Sequence, residues 1–178
     1  MSLEPAASLT LRATLAGLAP AERERTLFLP ALAGAPEALL DLLALLPVCD
    51  VNGALTACLE AGALGDGPAP VAALFCVDPF LRVPDLAEAL LAAGLRRVAN
   101  YPSIQAVDGE TGRTIAAVGY GPAEEIATLL RLRAAGLDPV GCAASAAFAE
   151  ALAAAGIAPV LAIPDLGSGS RSFVPFTR

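Results

Sequence analysis

Residues 71–77, VAALFCV, place seven apolar side chains in a row, the pattern of a β-strand covered on both faces. The run ends at Asp78-Pro79. Asp85 then opens a stretch of leucines and alanines that reads as a helix to residue 93, and Gly94 closes it. A second short segment, 97–99, leads into Asn100. Strand, helix and strand in that order make one βαβ unit, and the rest of the chain repeats the scheme. Segments 26–29, 45–49, 140–143 and 159–163 have the apolar character of further strands. Helical spacing predicts helices over 6–18, with leucines at 11, 15 and 18, and over 36–43, 53–61, 122–135 and 144–155. Residues 104–118 surround Asp108-Gly109-Glu110-Thr111-Gly112 and predict a hairpin or a long ordered loop over the strand ends. The tail, 167–178, is too short for another crossover helix and strand.

Six strands at these intervals predict an α/β protein with a parallel sheet, folded as a single domain over 1–178. Two architectures fit. One is a TIM-barrel-like arrangement that is incomplete, with about six βα units where eight close the usual barrel. The other is an open doubly wound parallel sheet. In both, chemistry gathers at the carboxyl ends of the strands, where Asp50, Asn52, Asp78, Asn100 and Asp165 are expected together. An incomplete barrel leaves two sheet edges, expected at 26–29 and 159–163. Unpaired edges invite a second subunit, against which Phe173, Val174 and Phe176 would bury, so a homodimer is expected.

Composition narrows the chemistry mainly by exclusion. A net charge of −7 argues against binding a phosphate backbone, so no nucleic-acid partner is expected. Hydrophobic residues make up 56% of the chain, yet turns and charges interrupt every apolar stretch before membrane-spanning length. The first residues lack a basic leader, which with the absent span predicts a cytoplasmic protein without a membrane partner. Cys49, Cys58, Cys76 and Cys142 have no CxxC spacing and read as small core residues in a reducing compartment. The chain contains no histidine, and all its cationic side chains are arginine. Imidazole bases and lysine Schiff bases are therefore excluded within one chain. Carboxylates, Cys, Tyr, Ser, Arg, backbone dipoles or a metal remain.

Asp50 and Asp78 follow successive strand candidates and could together offer hard oxygen ligands to Mg²⁺, with Asn52 and Asn100 beside them to orient a substrate. The competing reading is that the aspartates cap helices or fix turns. Asp108 and Glu110 are weaker candidates, since Asp-Gly is an ordinary turn signal. Tyr101 and Tyr120 have hydroxyls suited to an oxyanion, though either ring also suits packing. Cys76 and Cys142 lack a histidine to stabilise a thiolate, which favours a packing role. Gly167-Ser168-Gly169-Ser170-Arg171 offers hydroxyls and a guanidinium to an anion, but also suits a flexible tail.

Several segments in succession resemble the phosphoenolpyruvate hydrolase-like family of TIM-barrel proteins. They are Leu46-Pro47 with Asp50 and Asn52, Cys76-Val77-Asp78-Pro79-Phe80, Asn100-Tyr101-Pro102-Ser103-Ile104, Asp108-Gly109 and Gly119-Tyr120-Gly121. The resemblance covers roughly residues 44–170; the family's glycine-rich first strand and the last part of its barrel have no counterpart. It implies an active centre at the strand carboxyl ends and chemistry on a small phosphorylated or 2-oxo acid, with magnesium. Joined to the strand-end reading, the expectation is metal-assisted hydrolysis or lysis. Asp50 and Asp78 would hold Mg²⁺, and Tyr101 would stabilise developing negative charge. Asn52, Asn100, Ser103, Tyr120, Ser168 and Arg171 would bind a small anionic metabolite. The alternative is a non-catalytic small-molecule-binding or assembly module derived from such a barrel, which the missing histidine and lysine favour.

Overall fold

In the computed structural model, residues 8–36, 39–44, 49–165, 168 and 170–177 are described. Seven strands close a barrel in chain order: β1 (Leu9–Arg12), β2 (Thr26–Phe28), β3 (Val71–Leu74), β4 (Arg97–Asn100), β5 (Asp138–Ala143), β6 (Val160–Ala162) and β7 (Ser172–Pro175). β1 to β6 pair in parallel, each with the next, while β7 pairs antiparallel with both β6 and β1. The helices are α1 (Pro20–Glu24), α2 (Leu40–Leu43), α3 (Val51–Glu60), α4 (Val83–Ala92), α5 (Gly109–Ala117), α6 (Pro122–Ala134) and α7 (Ala146–Ala154). The fold is thus a TIM-barrel-like α/β barrel and not an open sheet.

Closure corrects the expectation of free edges. A parallel seventh strand needs a crossover of a dozen or more residues, whereas an antiparallel one needs only a short return. The tail takes the second course: it turns at the carboxyl end of β6 and runs back between β6 and β1. The edge argument for a homodimer therefore falls away. Phe173 is fully buried inside its own barrel, where its ring meets Tyr101 edge-on, centroids 4.8 Å apart. It is not an apolar tail side chain awaiting a partner, although neighbouring Val174 is exposed.

Two further expectations change. Over its described part, 8–18, the segment predicted as a helix over 6–18 is instead β1 and a turn. Leu11, Leu15 and Leu18 fit a helical period, but Leu9-Thr10-Leu11-Arg12 fits alternation equally, and pairing of Thr10 with Thr26 decides for the strand. The strand expected at 45–49 falls on residues outside those described, apart from Cys49, and β2 pairs directly with β3. Residues 104–118 form a 3₁₀ turn, Ile104–Ala106, and then helix α5, not a hairpin.

The core has two layers, set by the alternation of side chains along each strand. Leu11, Leu27, Val71, Ala73, Ala99, Tyr101, Val140, Cys142, Leu161 and Phe173 fill the barrel. Phe28, Ala72, Leu74, Val98 and Ala143 face outward and pack under leucines of α3, α4, α6 and α7. β3 is consequently buried at every position, as its continuous apolar run predicts. Leu32, Leu40 and Ala44, from the segment after β2, join the interior cluster, so apolar packing continues past the carboxyl end of that strand.

Candidate functional site

Parallel topology puts the end of each strand from β1 to β6, and the start of the helix before the next strand, at one end of the barrel. Asp50 at the start of α3, Asp78 after β3, Asn100 at the end of β4 and Asp165 after β6 all lie there. The expected convergence on one end is met. Side-chain direction then separates these residues.

Asn100 and Tyr101 are neighbours, so they face opposite sides of the wall. Tyr101 points inward to Phe173. Asn100 points outward and is fully buried beneath α6. Its amide extends the β4–β5 ladder by two hydrogen bonds with Cys142: Nδ2 donates to the carbonyl (3.0 Å), and Oδ1 accepts from the N–H (2.7 Å). Nδ2 also donates to Glu125 Oε2 at 2.8 Å.

Glu125 is the residue that sequence reading missed. Glu124-Glu125 looks like an ordinary acidic first turn of a helix, yet Glu125 has no solvent exposure. Ser103 Oγ donates to its Oε2 at 3.0 Å, the Ile104 N–H to its Oε1 at 2.7 Å, and Gln105 Nε2 to Oε2 at 3.2 Å. Gln105 reaches on to Cys142 O and Ala144 N. Burial holds the Glu125 carboxyl above its ordinary range, while the donors, Asn100 first, pull it back. Ser103 thus belongs to a closed network that ties the loop after β4 to α6 and β5. The one available signal was the spacing Asn100, Ser103, Gln105: three polar side chains in six residues after an apolar strand.

Asn52 makes a second clamp of the same kind. Its Oδ1 accepts from the Phe75 N–H (3.1 Å), and its Nδ2 donates to the Phe75 carbonyl (3.0 Å) and to Asp78 Oδ2 (2.9 Å). Asp78 Oδ1 accepts from the Phe80 N–H at 2.8 Å, which fixes the turn after β3. Asp50 caps α3, accepting from the Gly53 N–H at 2.8 Å. A Cβ at Gly53 would lie 2.2 Å from Asp50 Oδ2, so glycine there lets the carboxylate close over the helix start. Asp50, Asn52 and Asp78 line one groove of about 390 Å³ between α3 and α4, together with Glu60, Arg82 and Asp85. A second pocket, about 350 Å³, lies on the other side of Asp78 against α6 and includes Tyr120, Glu124, Thr128 and Arg131.

The residues that could hold Mg²⁺ are Asp50 and Asp78, whose carboxylates each have acceptor capacity beyond the hydrogen bonds they receive. The Asn52 amide oxygen is committed to Phe75. Mg²⁺ commonly keeps several waters and takes one or two carboxylates, so the pair suits a hydrated ion. Among the described residues there is no cluster of three or more Cys, Asp or Glu able to hold a metal.

Ser168 is exposed in the turn between β6 and β7, with its N–H on Asp165 O and its Oγ accepting from the Ser170 N–H. The Arg171 carbonyl accepts from the Leu11 N–H. Neither belongs to the groove lined by Asp50 and Asp78. Asp108 and Glu110 are exposed at the start of α5. The cysteines are free thiols, and burial, with the Glu125 charge second, pushes the Cys142 thiol far up. Cys76 is shifted the same way, by burial first and then by Glu125. Both are packed, protonated thiols. No helix among the described residues is long and apolar enough to cross a membrane.

No family model matches the chain, so the resemblance to phosphoenolpyruvate hydrolase-like proteins rests on its segments alone. Over 137 residues the chain is 34% identical to the uncharacterized protein y4oT of Sinorhizobium fredii, an alignment covering 77% of this chain and 69% of that one. At that identity and coverage the chain belongs to the family of y4oT.

Proposed function

We propose that this barrel is an enzyme acting on a small phosphorylated or 2-oxo acid by metal-assisted hydrolysis or lysis, in the cytoplasm. One observation carries the reading: Asp50 and Asp78, from different βα units, line a single groove between α3 and α4, at its upper end beside the strand carboxyl ends where TIM-barrel chemistry gathers. Bound there, Mg²⁺ would polarise an oxygen of the acid. The chain's own contributions are positional. Asn52 ties the start of α3 to Phe75 and to Asp78, and so holds the two carboxylates on one wall. The Phe80 N–H fixes the orientation of Asp78.

The melting temperature with and without Mg²⁺ tests this. A ligand of the native state at a hundred times its Kd stabilises by about 2.7 kcal/mol, and Asp78→Asn is expected to remove that increment while the apo protein stays folded. An equal Mg²⁺ response in wild type and variant sinks the assignment.

A second reading, a non-catalytic binding module, draws on the apolar packing that continues past β2 and on two asparagines whose amides are committed to backbone. Turnover distinguishes the two. Acid binding without any Mg²⁺-dependent conversion of phosphorylated or 2-oxo acids favours the module.

A further inference from the structure

We infer that the pocket between Asp78 and Arg131, on the outer flank of the barrel, is an acid-binding site whose anionic end is taken by Arg131. The inference rests on the magnesium reading only for the identity of the acid. The pocket is built from three segments. The loop after β3 supplies Cys76, Asp78 and Leu81, the α5–α6 turn supplies Val118 and Tyr120, and α6 supplies Arg131. Its volume, about 350 Å³, suits a small metabolite.

Arg131 is the cation of this pocket, and it is held in place. Its Nη2 donates to the hydroxyl of Thr128 at 2.7 Å and bonds the Glu124 carboxylate. Thr128 is fully buried, and its own hydroxyl donates to the Cys76 carbonyl at 2.9 Å, so the anchor is tied to the end of β3. One guanidinium nitrogen is thereby spent on positioning. Nε and Nη1 make no hydrogen bond among the described residues, which leaves two donors for a carboxylate or phosphate oxygen.

The rim supplies the apolar half of the ligand. Val118, 67% exposed, and Tyr120, 39% exposed, line the pocket together with Leu81 and Pro79. Large apolar side chains left open on a pocket rim are what an apolar ligand body covers. Of the two acid classes proposed, the charge pattern favours the 2-oxo acid over the phosphorylated one. Asp78 lines the pocket together with Arg131, and Glu124 offsets part of the guanidinium charge, so a monoacid with a short apolar body fits better than a polyphosphate. Asp78 divides this pocket from the groove it shares with Asp50, so an acid here lies next to any ion held there.

Calorimetric titration with 2-oxobutyrate, in Mg²⁺, tests the site on the full chain. Wild type should bind, Arg131→Gln should bind at least about tenfold more weakly, and Arg131→Lys should recover part of the loss. Glu124→Gln breaks the same ion pair but keeps the guanidinium, so its affinity should equal or exceed that of wild type. Equal binding by wild type and Arg131→Gln overturns the assignment. So does an equal loss in Glu124→Gln and Arg131→Gln, which would mark the effect as structural, and so does absence of binding by wild type at millimolar probe. Arg131-dependent binding with no Mg²⁺ effect on melting temperature would remove the magnesium reading and leave the acid pocket standing.

Discussion

At the scale of single residues, Glu125 shows how far a side chain's role depends on what surrounds it. Glu124 and Glu125 are adjacent and chemically alike. One lies at the surface in an ion pair with Arg131, and the other is buried under four donors. Because burial raises the folded carboxyl above its ordinary value of 4.5, the native state binds the proton more readily than the unfolded chain. The contribution of Glu125 to stability is then fully present below its unfolded value and is lost as pH rises through the folded one. Cys76 and Cys142, the neighbours that its charge raises, stay protonated across that window. Denaturation of wild type and Glu125→Gln should therefore show a stability gap that widens in favour of wild type as pH falls from neutrality toward the ordinary carboxyl value of 4.5. A gap independent of pH would show the group to be unshifted. At neutral pH the variant should still be weaker by roughly 1–3 kcal/mol, since an amide N–H must face one of the donors.

At the scale of elements, helices that look similar in sequence differ in how they are held. α6 buries Glu125, Thr128, Leu129 and Leu132, whereas α5 buries none of its nine residues. α5 is fixed at its ends instead. A Cβ at Gly112 would come within 2.3 Å of the Val107 carbonyl, and one at Gly121 within 2.7 Å of Ala116 Cβ. A helix without a buried face draws little stability from packing, so it should open locally well below the global unfolding free energy. Amide hydrogen exchange is expected to be fast through α5 and slow through α6. Comparable protection in both would mean that α5 is covered by something in solution. Sequence predicted α6 closely because its apolar positions have a helical period. It missed α5 because GETGRTIAA has the composition of a turn and its neighbours suit strands.

At the scale of the molecule, β7 turns six parallel strands into a closed barrel without an eighth βα unit. Among the described residues, no helix lies between β6 and β7 to cover their outer surface. The burial of β1 and β7 accordingly alternates: Leu9, Leu11 and Phe173 point in, while Thr10, Arg12, Ser172 and Val174 retain exposure. One wetted face is usual for antiparallel pairs and rare for parallel ones. Phe173 is the side chain through which the closing strand fills the barrel, and Phe173→Ala should cost about 3–5 kcal/mol, with Phe173→Leu costing less. Urea denaturation measures both. A loss below about 1 kcal/mol in Phe173→Ala would mean that the interior collapses to fill the gap.

What the sequence determined by itself is what depends on near neighbours. The apolar run at Val71–Leu74, the helix closed near Gly94 and the proline-led start of α6 follow from local pattern. So does the α/β class, and with it the collection of Asp50, Asp78 and Asn100 at one end, because a parallel strand order carries that consequence. Four residues of β1 fit two periods, and only a partner strand could choose between them. Whether the barrel closed rested on a tail whose pairing is antiparallel and distant in sequence. Which polar groups stayed open depended on contacts of the same long range. Asn52 and Asn100 each match a backbone N–H and C=O more than twenty residues away, and those bonds take up the amides that look free in the sequence. Hydrogen-bond capacity is spent where the fold brings donors and acceptors together, and tertiary structure alone decides where that is.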